Sequence, residues 1–222
     1  MSGTRVEARR TRSRNKVFAL AAAGIVLVAG ITVPSLAAWT DSEWVTGGVG
    51  NIPGISTSSF EVEQFAAGDT IWDHYETQGV ANVIDFSAQA ASLAPGDTVY
   101  GYVRLRTEAG SLGGTLTLAA DTVVTASTLS AAVVYGARVV SSTAECSAAN
   151  YAASGTLLQA SGSALNASSL GTFSLAAAPD ATTPGAEKVV CFELEFPISF
   201  AGDETLMRSS VAPVWHFDAV SV

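Results

Sequence analysis

Few residues in this chain are equipped for covalent or metal chemistry. Its 222 residues include two histidines and two cysteines. One histidine stands among acids, in Trp72-Asp73-His74-Tyr75-Glu76. There His74 has the chemistry of a base or a metal ligand. A zinc hydrolase places two His four apart on a helix with a Glu between them, and this spacing does not occur. A serine hydrolase of the elbow type needs G-x-S-x-G to expose its nucleophile, and that is missing too. In an extended segment neighbouring residues point to opposite faces, so Asp73 would not face His74. The expectation is a surface role for His74 and a non-enzymatic chain, with no catalytic residue, metal ligand or cofactor.

The two cysteines, Cys146 and Cys191, lie too far apart for a C-x-x-C redox pair. Behind an export signal they would leave the reducing cytosol, and one disulfide is then the expected state. It would close a loop of roughly 46 residues, worth about 4 kcal/mol in the chain-entropy account. Asn166-Ala167-Ser168 matches a glycosylation sequon, which matters only in a host that glycosylates there.

The export signal is written in the charge pattern. Arg5, Arg9, Arg10, Arg12, Arg14 and Lys16 crowd the start against Glu7 alone. Residues 17–33 (VFALAAAGIVLVAGITV) carry no charge, and Pro34-Ser35-Leu36-Ala37-Ala38 is a small-residue exit. These are the parts of a secretory signal, with Ser35 and Ala37 at the −3 and −1 positions of a cut between Ala37 and Ala38. The alternative is an uncleaved anchor, for which the apolar run is short. Cleavage would remove six of the 11 basic residues and one of the 20 acidic ones, moving the formal charge from −9 to −14. An acidic chain of this kind is a poor nucleic-acid binder. Any membrane contact would run through an uncleaved signal alone.

The remainder reads as strands joined by Gly, Ser and Pro turns. Thr98–Thr107 alternates Val99, Gly101, Val103 and Leu105 with Tyr100, Tyr102, Arg104 and Arg106, the period of a half-buried strand. Further strands are expected at 59–65, 83–86, 115–118, 132–140, 172–175, 188–196 and 212–220. In Leu93-Ala94-Pro95-Gly96-Asp97 a turn is expected, Pro setting one dihedral and Gly supplying the other. Residues 45–59 (VTGGVGNIPGISTSS), 159–169 and 176–186 read as surface loops, the first of them mobile. Arg104 and Arg106 are expected to pair with acids such as Glu193 and Glu195 on another strand. Short strands without crossover helices give an all-β, antiparallel, jelly-roll-like β-sandwich behind an N-terminal signal helix. The expected domains are 1–37 signal peptide, 38–57 N-terminal strand and Gly-rich tether, and 58–222 sandwich.

The joint Ala37-Ala38-Trp39-Thr40-Asp41-Ser42-Glu43 resembles the start of proteins processed by the SipW-type signal peptidase, the TasA and camelysin-like proteins of Gram-positive bacteria. The turn Leu93-Ala94-Pro95-Gly96-Asp97 is similar to that family's L-x-P-G-D turn, and residues 103–118 (VRLRTEAGSLGGTLTL) to its strand–N-x-G-S-l–strand hairpin, with the Asn absent. Trp72-Asp73-His74 and the aromatic strand at 212–221 resemble an actinobacterial branch. The resemblance implies a jelly-roll sandwich exported to the cell surface. TasA-like members build biofilm-matrix fibres in which the mature N-terminal segment of one subunit adds as a strand to the next. Camelysin-like members are classed as surface metalloproteases.

Residues 38–45 (AWTDSEWV) carry Trp39, Asp41, Glu43 and Trp44 ahead of the Gly-rich stretch, a free aromatic segment suited to strand addition. Trp39 and Trp44 are five apart, so a regular strand sends them to opposite faces. The alternative is that the segment closes its own sandwich edge. The functional expectation is an extracellular, surface or matrix structural protein. Its partners would be its own copies or another matrix protein, with a signal peptidase during export and no nucleic acid. The alternatives are a monomeric surface-binding module and, less favoured, a camelysin-like metalloprotease. The secreted protein is expected to begin at Ala38; N-terminal sequencing or intact mass checks this, and recovery of Met1 in the secreted product contradicts it.

Overall fold

A computed structural model describes residues 48–49, 52–53, 57–120, 127–169 and 171–222. The signal segment and its helix, the cut at Ala37–Ala38, and Trp39, Asp41, Glu43 and Trp44 lie outside the described residues. The chain divides into two units, Met1–Ile55 and Ser56–Val222.

In the first unit, β1 (Gly48–Val49) pairs antiparallel with β2 (Ile52–Pro53). The expected mobile loop over 45–59 therefore contains a small hairpin. Its signal is Gly50-Asn51, two turn-forming residues between the paired positions.

The second unit is an all-β antiparallel sandwich of two unequal sheets. Its strands are β3 (Val62–Ala66), β4 (Thr98–Thr107), β5 (Gly114–Ala120), β6 (Val134–Val140), β7 (Thr156–Ala164), β8 (Thr172–Leu175), β9 (Lys188–Glu195) and β10 (Trp215–Ser221). One sheet runs β3-β4-β9-β6-β7 and the other β10-β5-β8. A single short α-helix among the described residues, α1 (Thr128–Ala132), leads into β6.

Alternation along β4 is as the sequence reads: Val99, Gly101, Val103, Leu105 and Thr107 are buried, and the residues between them are half-buried. The core fills the space between the sheets with Val103 and Leu105 from β4, Leu116 and Leu118 from β5, Tyr135 from β6, Phe173 from β8 and Phe192 from β9. Trp215 of β10 closes it against Tyr135 and Phe192, with ring centroids 5.2 and 4.9 Å away. The turn ahead of β4 has the expected geometry: Gly96 has φ of 100° and the Asp97 N–H donates to Ala94 O at 2.9 Å.

Four expectations are corrected. Residues 83–86 form no strand: they lie over the inner face of β4, where a Cβ on Gly101 would meet Ile84 Cγ2 at 2.7 Å and Asp85 O at 2.9 Å. A segment lying across a sheet face has no ladder to join. Residues 159–164, read as loop, belong to β7. That strand is Ser-, Gly- and Ala-rich and mostly exposed, so its pairing with β6 comes from backbone bonds rather than from an apolar pattern. The hairpin expected over 103–118 is absent as well, because β4 is flanked by β3 and β9 and cannot also take β5. Residues 108–113 instead carry the chain from one sheet to the other. Finally, Arg104 and Arg106 do not reach Glu193 and Glu195, for the register sets those acids opposite Tyr100 and Thr98. Arg106 pairs with Glu63 at 2.8 Å and Arg104 with Glu187 at 3.3 Å.

The outer face of the larger sheet has its own apolar cluster. Val140, Tyr151, Val189 and Cys191 are buried there, with Tyr100, Tyr102 and Cys146 packed against them. The Cys146–Cys191 disulfide joins the segment after β6 to the middle of β9. Tyr100 donates to Glu193 at 3.1 Å, and partial burial together with that carboxylate pushes its hydroxyl up to about 12. Replacing Cys146 and Cys191 by Ser is expected to cost about 2–5 kcal/mol and to lower the melting temperature. Thiol labelling of the denatured, unreduced parent should find no free thiol, and two labelled cysteines per chain would remove this crosslink from the account.

Candidate functional site

A sandwich has end strands, and an end strand offers unpaired N–H and C=O groups to any extended chain. Three of the four here are blunted. Strand β3 is covered by a bridge in which Gln64 and Asp73 exchange backbone bonds of 2.9 and 3.2 Å. Strand β8 has four residues. Strand β7 faces register shifts in β6 and carries Gly162 at φ 82°.

Strand β10 has none of these devices. Its seven residues pair with β5 in unbroken register from Trp215–Ala120 to Ser221–Gly114, and its other side has no ladder partner among the described residues. The Val222 N–H donates to Gly113 O at 3.1 Å. Antiparallel bonding alternates, so the N–H groups of Phe217, Ala219 and Ser221 are directed to the open side. Trp215 and Phe217 point inward, Phe217 meeting Phe173 edge-on at 6.0 Å. His216 and Asp218 lie on the other face, 3.5 Å apart.

Beside β10 a cleft of about 390 Å³ runs towards residues 75–84, with Trp215, Phe217, Ile84, Tyr75 and Gln64 on its walls. A strand laid along β10 would send alternate side chains into it. A strand is expected over 212–220; that this strand ends a sheet carries no sequence signal, because edge position depends on which strands fold elsewhere.

A larger apolar groove, about 1060 Å³, is lined by Phe86, Leu93, Leu129, Phe196, Phe200 and Leu206, among others. It is built by short 3-10 turns and α1, segments with no sequence periodicity to announce them.

The histidine cluster stands on the outer face of β3 and β4. The Arg106 guanidinium lies 4.0 Å from the Trp72 ring centroid, and that of Arg104 lies 4.1 Å from Phe65. Phe65 and Trp72 are themselves 5.5 Å apart. Such stacking gives the two cations an apolar bed and fixes their heads towards Glu63 and Glu187. His74 Nδ1 lies 3.2 Å from Val62 O, and the Asp73 carboxylate accepts from the His74 backbone N–H rather than from its ring. The Asp73 carboxylate is thus engaged with backbone, and the His74 ring with Val62. The structure instead brings Glu63 and Glu108 to His74. The sequence reading missed both, since residues 63 and 108 become neighbours only through strand register. Of the singled-out site residues among those described, Cys146 and Cys191 are joined.

No protein-family model matches this chain, and no curated protein matches it. Trp72→Ala removes the shared face of Phe65 and Arg106 and is expected to destabilise the fold by about 1–3 kcal/mol. Thermal melting checks this, and an unchanged melting temperature would show that the aromatic–arginine stack contributes nothing.

Proposed function

We propose that this protein is an exported structural subunit of a surface or matrix assembly. In this reading residues 1–37 direct export and are removed before Ala38. Residues 38–45 of one copy then add as a strand beside β10 of the next. The edge of β10, without a ladder partner among the described residues and beside a mixed cleft with Ile84, Trp215 and Phe217 on its walls, is the observation that carries the reading. An eight-residue segment suits a seven-residue edge, and either Trp39 or Trp44 can turn inward while the other stays outside. Backbone bonds then give affinity and the inward aromatic gives register. A disulfide crosslinking the larger sheet fits a protein that works in an oxidising compartment. The resemblance at the Ala37–Ala38 joint points to the same class of protein, the TasA-like matrix subunits.

A second reading, a monomeric surface-binding module, draws on the 1060 Å³ apolar groove. The two part company over self-association. Deleting 38–45 is expected to leave a folded monomer, and Ala219→Pro is expected to block addition by removing an outward N–H without touching the ladder to β5. Sedimentation and negative-stain imaging of the mature chain and both variants provide the comparison. A mature chain that stays monomeric at high concentration favours the binding module. A deletion that melts early or aggregates shows the segment covering its own edge.

A further inference from the structure

The residues around His74 form a set that the assembly reading does not use. We propose that Glu63, His74 and Glu108 bind one divalent transition-metal ion, zinc being the ion their ligand atoms suit best. One ligand atom from each of the three lies within 4.8 Å of the other two.

Register alone assembles the set. Glu63 pairs with Arg106 across β3 and β4, and the Glu108 N–H continues that ladder by donating to Glu61 O at 3.1 Å. Glu63, Arg106 and Glu108 therefore share the outer face, with the two acids diagonal to one another. On the far side of β3, the Gln64–Asp73 bridge brings His74 beside Glu63, just as it brings Trp72 beside Phe65. Three separate segments thus each contribute one ligand.

The imidazole is prepared for the role. A bond from Nδ1–H to Val62 O holds the ring and leaves the Nε2 lone pair for a metal, the usual outer support of a ligating histidine. Neither carboxylate forms an ion pair with His74 among the described residues. Glu63 gives one oxygen to Arg106 and keeps the other. The Glu108 carboxylate has no ion pair or side-chain hydrogen bond among the described residues and is free to swing inward.

Zinc holds its ligands at about 2.1 Å, which sets tetrahedral neighbours about 3.3 Å apart. From a separation of up to 4.8 Å the set must therefore close by about 1.5 Å, a distance that rotation of the glutamate side chains covers. One nitrogen and two carboxylate oxygens suit zinc better than calcium or magnesium, which favour all-oxygen shells. A fourth position remains for water. The ion would clip β3 to the following segment and to the crossover after β4, holding the three together. The neighbouring Arg106 opposes it by competing for Glu63, so the expected affinity is modest rather than that of a buried structural site.

Isothermal titration with zinc chloride, using the whole secreted chain, tests the site. One zinc per chain is expected, with a rise of several degrees in melting temperature at saturation. His74→Ala and Glu108→Gln should each weaken binding at least tenfold. Glu108→Gln keeps the shape and the backbone bond to Glu61, so it reports on ligation even if His74→Ala disturbs the fold. Binding that survives both substitutions unchanged would assign the zinc to the general acidic surface and overturn the proposal. Absence of saturable binding to the parent would overturn it as well. Neither result bears on whether the chain polymerises, which is read by sedimentation.

Discussion

Pairing of β9 between β4 and β6 is the constraint on which the rest of the sandwich depends. This strand is apolar on both sides: Val190, Phe192 and Leu194 enter the core, while Val189 and Cys191 meet the outer cluster. A one-residue slip would exchange these two sets and place Cys191 in the core, away from Cys146. The ladder also decides which polar groups meet, putting Glu193 opposite Tyr100 on one side and Gly136 on the other. Gly136 has no room for a side chain there, since a Cβ would come within 2.7 Å of the Tyr151 hydroxyl. Burial on both faces thus makes a central strand of β9 and leaves the edges to strands with less apolar surface.

Unequal sheets follow from the same economy of apolar residues. The five-stranded sheet covers both of its faces, one with the smaller sheet and the other with the disulfide-linked segment after β6. The smaller sheet contributes Leu116, Leu118, Phe173 and Leu175 to the core through two strands, and β10 adds Trp215 and Phe217 at its margin. Beyond Phe217 the last residues of β10 are exposed on both faces. A strand in that position is ordered by one ladder and a few aromatic contacts, and its other side has no ladder partner among the described residues.

The outer surface of β3 and β4 shows how a chain with few cations arranges them. Arg104 and Arg106 lie on Phe65 and Trp72, and each meets a single carboxylate. The more open of the two, Arg104 with Glu187, contributes little by Coulomb attraction. The geometry of the two pairs matters more, because the flat guanidinium groups cover aromatic rings that would otherwise face water. The same register that aligns these pairs delivers Glu63 and Glu108 to His74.

Local pattern was enough for much of this. Alternation marked β4, stretches between turn residues marked β8 and most of β9 and β10, and the Pro95-Gly96 dipeptide marked the turn ahead of β4, because side-chain direction and backbone dihedrals are properties of the residue itself. The two cysteines behind a signal-like start were enough to expect their bridge. Strand β7 escaped notice because Ser, Gly and Ala carry no periodic apolar signal, and residues 83–86 misled because an apolar run looks the same whether it joins a ladder or lies across one. The partners of Arg104 and Arg106, the separation of β4 from β5 into different sheets, the open side of β10 and the meeting of His74 with Glu63 and Glu108 all depend on register and strand order. These are set by competition among all the strands for a place in the core, and no short stretch of chain carries that information.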